Sequence, residues 1–121
     1  VREIKFRGKP IEDYGDIKWF VGSLILSCED ELAYIEADGQ GTVPVEWESV
    51  GQYTCLKDKN GKEIYEGDII ALPYKRTFPE LGLQNHTVIF KNGYFSCSDY
   101  NTYASEVIGN IYENPELLNI K

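Results

Sequence analysis

His86 is the only histidine among 121 residues, so a Ser-His-Asp or Cys-His arrangement would have to use it as the base. It stands beside Thr87 and Val88 at the start of a strand-like run, with no orienting acid in view, and reads as a structural or solvated imidazole. One histidine with scattered carboxylates is also a poor zinc set. The three cysteines, Cys28, Cys55 and Cys97, cannot all pair within one chain, and none has the CxxC spacing of a metal or redox pair. Reduced, buried thiols are expected.

Lys57-Asp58-Lys59-Asn60-Gly61 has the look of a calcium loop only until the register is tested. With Gly61 as the turn glycine, Leu56 falls where the first acidic ligand belongs and Gly67 where the closing glutamate belongs, which leaves a charged hairpin tip. Gly61-Lys62 and Gly8-Lys9 lack the spaced glycine and the Ser or Thr of a phosphate loop. Glu29-Asp30-Glu31 and the pair Glu46 and Glu48 read as the wet face of strands. Asn85-His86-Thr87 matches a glycosylation acceptor that would matter only on a secretory route. No catalytic residue, cofactor or metal is expected, and the chain is read as a non-enzyme. The suggestive residue type is tyrosine, nine in all, which joins an apolar body to a polar tip. Tyr94, Tyr100, Tyr103 and Tyr112 fall in the last third and form the candidate interaction surface, with packing within the sheet as the competing reading.

The elements that would position these groups are mostly strands. Ile4 and Phe6 alternate with Glu3, Lys5 and Arg7, which puts the apolar pair on one face and the charges on the other. Ile17 to Leu26 reads as a strand with a bulge or bend at Gly22, and Leu32 to Glu36 and Thr42 to Trp47 as shorter strands around the turn Asp38-Gly39-Gln40-Gly41. Asn60-Gly61 and Asn92-Gly93 carry the signature of two-residue hairpin turns, the second between His86 to Phe90 and Tyr94 to Cys97. Gly67-Asp68 turns into a strand Ile69 to Leu72 ended by Pro73, and Pro79 with Leu81-Gly82 suits an exposed connection. Ser105 to Tyr112 alternates as a last strand. Asn114 as cap and Pro115 at the first helical position then begin a short helical turn anchored by Leu117, Leu118 and Ile120.

The formal net charge is -8, and the first 50 residues hold 5 basic and 11 acidic side chains. That balance disfavours nucleic acid and anionic membrane as partners. No run of about 18 apolar residues could cross a bilayer as a helix, and the alternating start has no leader pattern, so a cytoplasmic location is expected.

Three stretches together resemble the YopX family of phages and prophages. They are Val50-Gly51-Gln52-Tyr53-Thr54 continuing through Leu56 to Ile69, Arg2 to Arg7 at the start, and Glu106 to Leu118 at the close. Within them Gly51, Gln52, Tyr53, Asn60, Gly61, Gly67, Asp68, Gly109, Asn110 and Pro115 stand at family-motif positions that suit turns and strand starts. The family usually has glycine where Cys55 stands, which weakens any inference that a positive φ is obligatory there, and Val1 replaces its initiating methionine, pointing to an alternative start or an edited terminus. The resemblance implies a mainly β fold with a barrel-like portion and no established activity.

The expected architecture is therefore a single domain, residues 1–121. It has an acidic N-terminal β portion (1–46), an SH3-like barrel portion (47–121) and a short terminal helical turn. The expected role is that of a phage or prophage accessory protein, a binding or assembly module that associates with itself or with a host or phage protein. An alternative is an acidic nucleic-acid mimic that occupies a host DNA-binding protein. A weaker one is single-strand binding through Lys57, Lys59, Lys62, Lys75 and Arg76.

Overall fold

A computed structural model describes residues 2–73 and 83–119. The chain is mainly β, with eleven strands and short 3-10 turns among the described residues, and it divides into two compact units, Val1–Tyr53 and Thr54–Lys121.

The first unit holds β1 (Phe6–Gly8), β2 (Phe20–Ser27), β3 (Leu32–Ala37), β4 (Gly41–Val45) and the opening residues of β5 (Gly51–Lys57), in the antiparallel order β4-β3-β2-β1-β5. Alternation puts Phe20, Ala33, Ile35, Ala37, Val43 and Val45 into one core, with Phe6, Tyr14, Leu24, Trp47 and Val50 packed around it. The sheet curls so far that Pro10, just past β1, bridges to Val45 of β4, and the Ile11 amide donates to the Pro44 carbonyl. Gly8 lies in that curl, where an added Cβ would come within 2.8 Å of a Val45 methyl.

Several expectations for this unit change. β2 starts at Phe20 rather than Ile17, because residues 13–17 form a turn in which the Gly15 amide donates to Asp13 Oδ1 and the Ile17 amide to the Tyr14 carbonyl. Ile4 is exposed and Arg7 is buried, its guanidinium 4.5 Å from the Trp19 ring, so the expected division of apolar and charged faces fails at β1. Gly22 keeps its register opposite Phe6. What requires glycine there is the backbone of Glu36. β4 stops at Val45, and Trp47–Ser49 is a 3-10 turn tied by the Ser49 hydroxyl, which donates to the Glu46 carbonyl and accepts from the Lys9 amide.

In the second unit the rest of β5 pairs with β6 (Glu63–Tyr65). β7 (Asp68–Pro73) lies between β8 (Leu83–Thr87) and β11 (Glu106–Asn110), and β9 (Phe90–Lys91) pairs with β10 (Tyr94–Phe95). Ile64, Ile70, Leu72, Val88 and Cys97 form its core. β7, β8 and β11 form one small antiparallel sheet and β9 and β10 another, and the described residues do not close into the barrel expected from residue 47 onward. Pro73 ends β7 as expected, while Pro79, Leu81 and Gly82 lie outside the described residues.

Asn92-Gly93 makes the expected tight hairpin, both residues at positive φ, 52° and 84°. Its flanking strands are shorter than expected: β8 ends at Thr87, and Ser96–Asp99 is a 3-10 turn that takes Cys97 out of the strand. At Asn60-Gly61 only Gly61 is left-handed, and the Gly61 amide donates to the Asp58 carbonyl while the Asp58 amide donates to the Lys62 carbonyl. That is a turn followed by a glycine bulge, not the two-residue form. β11 pairs with β7 through a register shift between Val107 and Gly109 that leaves Ile108 over. The terminal turn is a 3-10 segment, Pro115–Asn119, fixed by the Asn85 side-chain amide donating to the Leu117 carbonyl. Ile120 lies outside the described residues.

Candidate interaction surface

The hairpin of β9 and β10 and the 3-10 turns after it bring most of the chemically distinctive residues of the second unit into one segment. His86 Nε2 lies 2.9 Å from Ser96 Oγ, but that hydroxyl is fully buried and occupied. It accepts from the Ile89 amide at 3.0 Å and lies 3.4 Å from the Thr87 carbonyl, so it pins the end of β8 to the hairpin instead of facing a substrate. Burial pushes the His86 imidazole below its ordinary value, as does Lys91, against an opposing pull from Asp99. Its ring packs edge-on against Tyr100 with centroids 4.9 Å apart. A packed histidine is what results.

Cys97 is buried in the core, and burial pushes its thiol up despite a hydrogen bond with Thr54. The expectation that all three thiols are buried is corrected for Cys28 and Cys55, both exposed. Cys55 also has φ of 68°. A left-handed backbone thus stands at this position although the residue is not glycine. The kink is held by Thr54, whose hydroxyl donates to the Ile64 carbonyl and accepts from the Leu56 amide. Cys55→Gly is expected to raise stability by about 1 kcal/mol, since an L-residue in this region costs about 1–2 kcal/mol and glycine returns part of the gain as entropy. Urea unfolding of the two proteins measures it.

The four tyrosines have different fates. The Tyr94 hydroxyl donates to Asp99 Oδ2 at 3.3 Å, Tyr100 covers His86, and Tyr103 stands 75% exposed on its 3-10 turn. Tyr112 is half-buried over Gly67, where an added Cβ would meet its ring at 2.9 Å. Tyr112 therefore belongs to the packing of the motif. Residues that the tyrosine count did not single out take its place: Ile89 and Phe90 are about half exposed, and Phe90 meets Phe95 edge-on at 5.0 Å. Alternation around the hairpin could have placed Phe90 on its surface.

The remaining motif residues hold turns together. Gly51 and Gln52 pair with Arg7 and Phe6, and Tyr53 is buried with Lys5 over its ring at 4.9 Å. Asp58 is buried, and its carboxylate accepts the amides of Asn60 and Lys62 on one oxygen and that of Val107 on the other. Burial works against its charge, but those amides and the Lys62 cation outweigh it and hold the carboxyl below its ordinary value. Asp68 accepts the Tyr65 amide, and Gly67 is left-handed at 94°. Asn110 Oδ1 accepts the amides of Tyr112 and Glu113. Asn114 Oδ1 accepts the Asn110 amide and its carbonyl accepts the Leu117 amide of the turn that Pro115 opens, and its side chain fills the space an added Cβ at Gly109 would need.

Of the basic residues, Lys59 pairs with Glu106 at 3.5 Å, and Lys75 and Arg76 lie outside the described residues. Of the carboxylates around β3, Glu29 to Glu31 lie at the turn before it, Glu36 within it and Asp38 at the turn after it. Among the described residues no group of three or more metal-ligating side chains gathers, and no helix is long and apolar enough to cross a membrane.

No curated protein matches the chain. Among solved structures it is similar to the crystal structure of protein EF1440 from Enterococcus faecalis, at 24% identity and a TM-score of 0.50, over 98% of this chain and 99% of that one, a likeness of fold. The family model described as YopX protein matches residues 18–119, and with those turn-holding residues in place the chain belongs to the YopX family.

Proposed function

We propose that this chain is a non-enzymatic binding or assembly module, a phage or prophage accessory protein of the host cytoplasm that works by self-association. The observation that carries the reading is the concentration of exposed apolar and aromatic side chains, Ile89, Phe90, Tyr94, Tyr100 and Tyr103, within fifteen residues of the second unit. Apolar side chains kept in water at this density favour burial against another protein surface, and aromatic residues dominate such contacts. The neighbouring chemistry supports the same reading, because the one histidine and the buried thiol beside it are spent on packing.

Light scattering of the full chain should give a mass above the 13.8 kDa of one copy. Phe90→Ser with Tyr103→Ser should return it to that mass without loss of the folded circular dichroism signal. A strictly monomeric parent that also retains no protein from phage-infected cells would sink the proposal.

A further inference from the structure

The outer face of the first unit's sheet is a second, chemically different surface. Directly opposed residues of an antiparallel ladder share a face, so the register Ile25↔Tyr34↔Pro44 sets those three side chains in a row, with Leu32 one pleat beyond Tyr34 along β3. The core of this unit lies on the other side, under Leu24, Ile35 and Val43. Ile25 and Leu32 are 45% and 43% exposed, and Tyr34 and Pro44 are half-buried. The next row on the same face is Ser23↔Glu36↔Thr42, which puts a carboxylate about 7 Å from the apolar row. Glu29, Asp30 and Glu31 close one end of the strip and Asp38 the other.

The charge around this strip is one-sided. From Trp19 to Leu56 the chain has seven acidic side chains and not one Lys, Arg or His. The cations at β1 on this face are engaged elsewhere, Lys5 with Glu3 at 3.3 Å and over the Tyr53 ring and Arg7 buried beside Trp19, so the rim of the apolar strip is mainly carboxylate. Such a strip disfavours a second copy of itself, since a two-fold contact would set acid against acid, and it repels phosphate-bearing surfaces for the same reason. We infer that this face docks a cationic, apolar-bearing polypeptide segment of another protein, one with basic and apolar residues close to 7 Å apart, as in an extended chain with alternate residue types on adjoining pleats or in a helix one turn on. Its leucine-like groups lie over Ile25 and Leu32, and its cations meet Glu36 and the carboxylates of the two turns. This differs from nucleic-acid mimicry, in which charge alone makes the contact.

The test uses the full chain and three fluorescein-labelled ten-residue peptides, in which lysine alternates with leucine, lysine with serine, and glutamate with leucine. Fluorescence anisotropy should show binding of the lysine–leucine peptide and at least about tenfold weaker binding of the other two. Ile25→Thr with Leu32→Thr, both exposed strand positions where threonine is at home, should weaken the lysine–leucine peptide by about tenfold at unchanged net charge. Glu36→Lys should weaken it further, and raised salt should weaken it in the parent. Hydrogen exchange of the parent chain gives a reading that needs no variant: added lysine–leucine peptide should slow exchange across β2 and β3. Equal binding of the lysine–serine peptide, an unchanged affinity in the threonine variant, protection confined to other strands, or no binding would each overturn the inference. The self-association proposal rests on residues 89–103 and would be untouched by any of these results.

Discussion

Asp58→Ala is expected to lower the unfolding free energy by about 3–4 kcal/mol, because it removes the acceptor of three backbone amides. The carboxylate takes the Asn60 and Lys62 amides at 2.8 and 2.9 Å within its own turn and the Val107 amide at 2.9 Å on β11, 49 residues away in sequence. The Lys59 amide, donating to the Ser105 carbonyl, makes a second link between the same two segments. Loss of the side chain therefore frees the hairpin tip and the start of β11 together. Asp58→Asn should cost about half as much, since a carboxamide has one acceptor oxygen and must turn its NH2 toward at least one amide donor. The acid dependence separates charge from shape. The folded-state value of Asp58 lies below its ordinary value, so its contribution is complete above the ordinary value and is lost as pH falls through the folded one. Urea unfolding at neutral and acid pH should show a shallower acid loss in the asparagine variant than in the parent. An alanine variant within about 1 kcal/mol of the parent would mean that water replaces the carboxylate at this site.

The same residue marks the boundary of what the sequence could tell. Testing the 57–61 segment against a calcium loop showed what it was not, and the Asn-Gly pair showed that the chain turns there. The partner on β11 stayed hidden, because a contact 49 residues apart leaves no local periodicity. Asn92-Gly93 was readable since its conformation is set by two adjacent residues, both left-handed as expected. Arg7 was misread for the opposite reason: alternation treats a charged side chain as outward, and the Trp19 ring beside it comes from the residue just before β2. The left-handed backbone at Cys55 was not legible, because residue type alone points away from it, whereas Thr54 and its bonds to Ile64 and Leu56 hold the kink. For the surface, tyrosine counting found Tyr100 and Tyr103 but could not separate them from Tyr112, whose ring lies against a backbone glycine.

Gly22→Ala should be more damaging still, with an expected loss of at least about 4 kcal/mol, most of the stability of a protein at the low end of the ordinary range of about 5–15 kcal/mol. An added Cβ at this position would fall inside the van der Waals sphere of the Glu36 carbonyl oxygen, 2.9 Å from the carbonyl carbon and 3.3 Å from the Ala37 Cα. All three are backbone atoms of β3, so no side-chain rotation relieves the crowding. β2 and β3 must move apart, and the ladder from Ser23↔Glu36 to Ser27↔Leu32 sits directly beside the point where they would open. The inner faces of the same two strands carry Phe20, Ala33 and Ile35, so the separation would also open the core. Gly39→Ala supplies the comparison, because Gly39 has φ of 79° but nothing within 4 Å of an added Cβ. It should cost only the left-handed penalty of about 1–2 kcal/mol. Hydrogen exchange should accelerate throughout β1 to β4 in the Gly22 variant and only around the β3–β4 turn in the Gly39 variant. If the two variants proved equally stable, close strand approach would not be the reason for glycine at position 22.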